Sequence, residues 1–169
     1  MNFSRHRHTA LLGLPAVALL VAIAGCSSAD DSASVAVPSP DTKVTGLCQN
    51  LDKVLPRTVD GHGREDPEPR SALTAGWGSS AIILRCGVER PPKMVDPKVA
   101  NGDDPKAVGG RVNGVDWLME KQDDGTTLLT TALRKAYVQV TVTAGVDVSG
   151  VLVDLAASVK KAVPEGTAD

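Results

Sequence analysis

Residues 136–143 read AYVQVTVT. Ala136, Val138, Val140 and Val142 alternate with Tyr137, Gln139, Thr141 and Thr143, and successive side chains of a strand point to opposite faces. One face is apolar and the other polar, the pattern of an antiparallel sheet buried on one side. Two strand candidates precede it, Val115–Lys121 and Thr126–Leu133. Between them QDDGT, residues 122–126, supplies the Asp-Gly chemistry of a tight hairpin. Further upstream AIILRCGV, residues 81–88, sets Ile82, Leu84, Cys86 and Val88 on one face with Ile83 and Arg85 on the other.

Helices flank these strands. In SGVLVDLAASVKKAVPEG, residues 149–166, Leu152, Leu155, Ala156, Val159 and Val163 form one apolar stripe. Lys160 and Lys161 suit the negative end of that helix, and Pro164 and Gly166 stop it. Near the start of the domain, Leu47, Leu51, Val54 and Leu55 follow helical spacing after Thr45 as an N-cap, and Pro56 closes the run. The long stretches DGHGREDPEPR (60–70) and Glu89–Arg111 read as loops. Helix, strands, helix predicts an α+β fold: a mainly antiparallel sheet of about four strands, covered on one face by an N-terminal and a C-terminal helix.

The three cysteines, Cys26, Cys48 and Cys86, divide unevenly. Cys26 follows MNFSRHRH and the apolar run TALLGLPAVALLVAIA, a positive n-region and an h-region of export-signal length rather than membrane-spanning length. Ile23-Ala24-Gly25-Cys26 resembles the lipobox of bacterial lipoproteins. The resemblance implies cleavage before Cys26 and a lipid on its thiol, so residues 1–25 are expected to be a signal peptide. Residues 26–44, which include SSADDSASVAVPSPDT, are expected to form a lipidated, disordered tether. Residues 45–166 would be the single folded domain. Cys48 and Cys86 then remain as an even pair outside the cytosol, 38 positions apart and each on the apolar side of its element. That spacing favours a structural staple over a redox-active pair.

Removing residues 1–25 takes away Arg5 and Arg7, leaving 16 Lys+Arg from 18 against 20 Asp+Glu, a net charge near −4. Aromatic residues make up 2% of the chain and no basic run occurs, which argues against nucleic acid as a partner. His6 and His8 would leave with the signal. His62 is then the single histidine, in DGHGRE between Asp60 and Glu65; a solvated loop residue is the simpler reading beside a general base or metal ligand. No G-x-S-x-G elbow supplies a nucleophile. QDDGT lacks the other positions of a calcium loop, so turn chemistry accounts for Asp123 and Asp124.

From AGWGSSAIILRCGVERP through VNGVDW to TTALRKAYVQVTV, the chain resembles the DUF3515 family of actinobacterial envelope proteins. Trp77-Gly78, Leu84-Arg85-Cys86-Gly87-Val88, Arg90-Pro91, Asn113-Gly114-Val115-Asp116-Trp117, Thr130-Thr131, Arg134 and Tyr137-Val138 carry that likeness. Ser80 and Ala144 depart from it, standing where prolines are expected. The resemblance implies an envelope lipoprotein and no particular activity. The expected function is therefore a membrane-anchored, non-enzymatic binding or assembly module, held on the outer face of the cytoplasmic membrane by lipid on Cys26. Its partner would be an envelope protein or cell-wall component, with no cofactor and no metal. A cell-wall hydrolase or transferase using carboxylates is the alternative.

Five residues are candidates for a binding surface. Trp77 sits between Gly76 and Gly78, where bare backbone would let a partner approach. Arg85, Arg90 and Arg134 are candidates to gather with Asp116 in a charged cluster, for which a solvated salt-bridge network is the simpler reading. Trp117 shares a strand face with Val115 and Met119 and is assigned to the core.

Overall fold

A computed structural model describes residues 34–168. The expected signal peptide, residues 1–25, and the expected lipidation site, Cys26, lie outside the described residues.

The described chain is α+β. Helix α1 (Thr42–Asp52) is followed by a small hairpin of β1 (Thr58–Val59) and β2 (His62–Gly63). Then come β3 (Thr74–Trp77), β4 (Ile82–Cys86), a 3₁₀ turn at Pro92–Val95 and the short α2 (Pro97–Ala100). β5 (Ala107–Val112), β6 (Val115–Lys121), β7 (Thr127–Ala132), β8 (Val138–Val142) and α3 (Val148–Ala162) complete it. The main sheet is antiparallel, in the order β3-β4-β8-β7-β6-β5.

The alternation expected of residues 136–142 is what packs the molecule. Ala136, Val138, Val140 and Val142 join Ile82, Leu84, Cys86, Leu129, Val115 and Trp117 in one core. The predicted stripe of α3 and the inner side of α1 (Val44, Cys48, Leu51) close that core. Cys48 and Cys86 are bonded, each about 1% exposed, with Cα atoms 5.5 Å apart. The bond fixes α1 to β4, the strand next to the β3 edge of the sheet.

The main sheet has six strands, where about four were expected. The two additional ones are its edges. β3 is buried along its whole length, so it shows no alternation to read. β5 carries Gly109-Gly110 and lies largely exposed, so its apolar signal is diluted. The long loop expected at Glu89–Arg111 therefore holds a 3₁₀ turn, α2 and β5.

The start of the domain is also earlier than expected. Asp41, not Thr45, caps α1, its carboxylate accepting from Lys43 N at 2.7 Å and Val44 N at 3.0 Å. Residues 34–40 form a strap laid on the domain rather than free tether. Val35 N donates to the Glu68 carbonyl at 2.9 Å, and Arg85 Nε donates to the Ala36 carbonyl at 3.0 Å. Pro40 occupies the bare side of Gly87 (φ 85°), where a Cβ would come within 2.5 Å of its Cγ.

Candidate functional site

The expected cluster of Arg85, Arg90, Arg134 and Asp116 does not form. Asp116 pairs with its cross-strand partner Arg111, which donates from Nε at 3.0 Å and from Nη2 at 2.9 Å. That doubly bonded carboxylate raises the guanidinium pKa further. Arg134 is 4% exposed and fastens α3 to the β5–β6 turn. It donates to the Val163 carbonyl at 3.1 Å and the Gly114 carbonyl at 2.8 Å, and Glu165 lies 3.6 Å away. A cation at the last carbonyls of α3 also suits the negative end of the helix dipole. Arg85 is committed to the strap.

Trp77 is fully buried, so it offers no binding surface. Its Nε1 donates to the Pro56 carbonyl at 3.1 Å, and the Arg64 guanidinium lies 5.3 Å from the ring centroid. Burial opposes the charge of Arg64, but hydrogen bonds to Asp66 and Asp52 outweigh that and hold its pKa above the ordinary value. The bare backbone around Trp77 does admit a close neighbour, and the neighbour is the chain itself: Glu65 lies against Gly76 and His62 against Gly78. His62 is therefore a packing residue of β2. The 122–126 segment is a hairpin turn, with Thr126 N donating to Asp124 at 2.9 Å and lowering that carboxyl's pKa. Trp117 is 1% exposed, as its strand face implies.

Arg90 stands apart from the other four. It lines an open cleft of about 400 Å³ where the strap, α1, the exit of β4 and the entrance of β8 meet. Asp41 sets the first turn of α1 there, and the disulfide holds α1 against β4. Gly87 turns the chain out of β4 and donates its N–H to the Tyr137 carbonyl at 2.9 Å. Pro40, Val44, Val88 and Ala136 supply apolar walls. Arg90, Glu89 and the Tyr137 ring supply polar groups, and among the described residues no carboxylate lies within 4 Å of Arg90. Asp41 is engaged in the α1 cap and Glu89 stands beside Arg90. The cleft therefore offers one cation, one further carboxylate, one phenol and apolar walls, and it can hold and orient a polar ligand whose anionic part meets Arg90. Sequence reasoning found Arg90 but missed Tyr137 and Val44. Tyr137 was visible as the one aromatic on the polar side of its strand.

A second set of charges lies by the β5 edge and was not anticipated. Lys93 Nζ sits 2.9 Å from Asp104 Oδ2, and Asp104 Oδ1 also accepts from Lys106 N at 2.8 Å and Ala107 N at 3.0 Å. The Lys93 hydrogen bond and these amides hold Asp104 below the ordinary carboxylate range. Glu120 lies opposite Ala107 in register, and burial pushes its carboxyl up. Alternation of β6 puts Asp116 and Glu120 on one face, a signal the sequence contained. Among the described residues no group of three or more His, Cys, Asp or Glu is placed to hold a metal ion. None of their helices is long and apolar enough to cross a membrane.

The family model described as "Protein of unknown function (DUF3515)" matches residues 9–168. No curated protein and no solved structure matches this chain.

Proposed function

This chain belongs to the DUF3515 family, and we propose that it is a lipid-anchored, extracytoplasmic binding module of the cell envelope, without catalytic activity of its own. The buried Cys48–Cys86 bond carries this reading. Disulfides persist in oxidising compartments and are rare in the cytosol. The reading then joins that bond to the export-signal pattern before Cys26 and to the lipobox-like Ile23-Ala24-Gly25-Cys26. The anchor is the lipid on Cys26, and the binding site is the cleft carrying Arg90 and Tyr137. Its ligand is an envelope component presenting an anionic group, which the guanidinium receives while the apolar walls take the adjoining part.

Capture of envelope components on the membrane-extracted protein tests it. A component retained by the wild type and lost with Arg90→Ala, at unchanged melting temperature, is the expected result. Identical retention by both proteins removes the cleft from the account.

A second reading rests on Asp104 and Glu120, whose environments push two carboxyls in opposite directions. Such a split assigns acid and base roles in enzymes that use carboxylate pairs. A hydrolase or transferase built on that pair would lose its turnover with Glu120→Gln and keep binding at the Arg90 cleft.

A further inference from the structure

Two uncommitted charges of opposite sign border the Arg90 cleft. Of its two carboxylates, Asp41 is engaged in the α1 cap, where Oδ1 accepts from Lys43 N at 2.7 Å and Val44 N at 3.0 Å. Glu89 is the other. Among the described residues no cation lies within 4 Å of the Glu89 carboxylate, just as no carboxylate lies within 4 Å of Arg90. The two neighbours therefore do not neutralise each other, and the backbone explains why. Arg90 precedes Pro91, which biases it toward extended geometry, and successive side chains of an extended chain diverge. Both residues nevertheless line the same cleft.

A ligand with an anionic group alone would gain from Arg90 but stand beside the Glu89 carboxylate, whose repulsion offsets much of that attraction. A purely cationic ligand meets the reverse. A ligand that brings both charges close together satisfies both residues at once. The other walls, Pro40, Val44, Val88 and Ala136, are aliphatic and small, and the Tyr137 phenol adds a hydrogen-bond donor. We propose that the cleft receives an α-amino-acid head, a carboxylate and an ammonium on one carbon. The carboxylate meets Arg90 and Tyr137, the ammonium meets Glu89, and the attached aliphatic chain lies on the apolar walls. The proposal rests on the reading that the Arg90 cleft is the binding site, and it names the class of ligand for that site. Two sources share this head: a free aliphatic amino acid, and a diamino acid held in a larger molecule through its far amino group. The open cleft of about 400 Å³ has room for the chain of either.

The test is calorimetric titration of the full membrane-extracted protein in detergent. The probes are leucine and Nε-acetyl-lysine, each as both enantiomers, with 4-methylpentanoate (leucine without its ammonium) and 3-methylbutylamine (leucine without its carboxylate) as controls. At least one of the two amino acids should bind about tenfold or more tightly than either control. Preference for leucine points to the free amino acid, and preference for Nε-acetyl-lysine points to the tethered one. Glu89→Gln should bring the amino acid down to the affinity of 4-methylpentanoate and leave 4-methylpentanoate itself unchanged. Arg90→Ala should remove both, at unchanged melting temperature. Equal binding of 4-methylpentanoate and the amino acids, or amino-acid binding indifferent to Glu89→Gln, overturns the α-amino-acid assignment and leaves the anionic-ligand reading of the cleft standing. Binding of no probe, or binding indifferent to Arg90→Ala, overturns both.

Discussion

Arg134 shows how one residue can carry a different role from the one its sequence neighbourhood suggests. An arginine near Asp116 reads as a surface pair, yet the guanidinium is buried and its two nitrogens satisfy the Val163 and Gly114 carbonyls. Arg134→Met should lower the unfolding free energy by about 2–3 kcal/mol in urea titration, because two shielded carbonyls lose their donors. Arg134→Lys should recover little of it, since one ammonium cannot span both carbonyls with a fork's geometry. A loss below about 0.5 kcal/mol would contradict this role. Glu120 has a pH signature with a definite sign. Its folded pKa is raised, so the folded state holds the proton more tightly than the unfolded one. Stability from this group is fully present below the ordinary value of 4.5 and declines as pH rises through it toward the folded value. Asp104 runs the other way: its contribution is present above its ordinary value of 3.8 and is lost as pH falls through the lowered folded value. Glu120→Gln should therefore abolish the decline and stabilise the neutral-pH protein by a few tenths of a kcal/mol, the carboxyl being only partly buried. Melting curves from about pH 3 to 8 check both slopes, and an unchanged profile in Glu120→Gln would remove the assignment.

Elements with a one-sided environment were the legible ones. Residues 136–142 alternate because one face meets the helices and the other does not, whereas in Ile82–Cys86 the outward Ile83 is buried as well and only Arg85 is partly open. The stripe of α3 ran true for the same reason, with Leu152, Leu155, Ala156, Val159 and Val163 all buried. β3 hid because both its faces are covered, and β5 because two glycines and an exposed edge leave too few apolar side chains to count. The strap hid because its Ser, Ala and Pro composition matches a disordered linker, while its order comes from hydrogen bonds to Glu68 and Arg85 far along the chain. The Arg90 cleft was half legible, since its walls come from four separate elements. The cysteine pairing followed from setting Cys26 aside on its lipobox-like surroundings and from the apolar facing of Cys48 and Cys86. Closing a loop of that length stabilises by about 3–4 kcal/mol in the chain-entropy account. Cys48→Ala and Cys86→Ala should each lower the melting temperature by a similar amount, and the double variant should be no worse than either. Additive losses would mean that the two thiols act separately. Asp41→Ala should cost about 1 kcal/mol through the α1 cap. It should also speed proteolysis upstream of α1, because the cap is where strap and helix join.

At the scale of the molecule, the disulfide and the strap describe one arrangement: a small α+β body stapled internally, with residues 34–40 laid along it. Its two edges differ in role. The β3 edge is covered by the chain's own Arg64–Pro67 segment, and the β5 edge lies open. The Arg90 cleft opens beside the strap, and under the proposed anchoring its ligand would be met near the membrane. Cys26→Ala should leave an unlipidated precursor that no longer partitions with membranes, and membrane retention equal to wild type would contradict the anchor. The most direct test of the whole account is the intact mass of the natively exported protein, extracted from membranes and measured without reductant after thiol-reactive labelling under denaturing conditions. The expected result is a chain that begins at Cys26, carries lipid there, and takes up no label at Cys48 or Cys86. A lipid-free chain, or one that takes up two labels at Cys48 and Cys86, would contradict it.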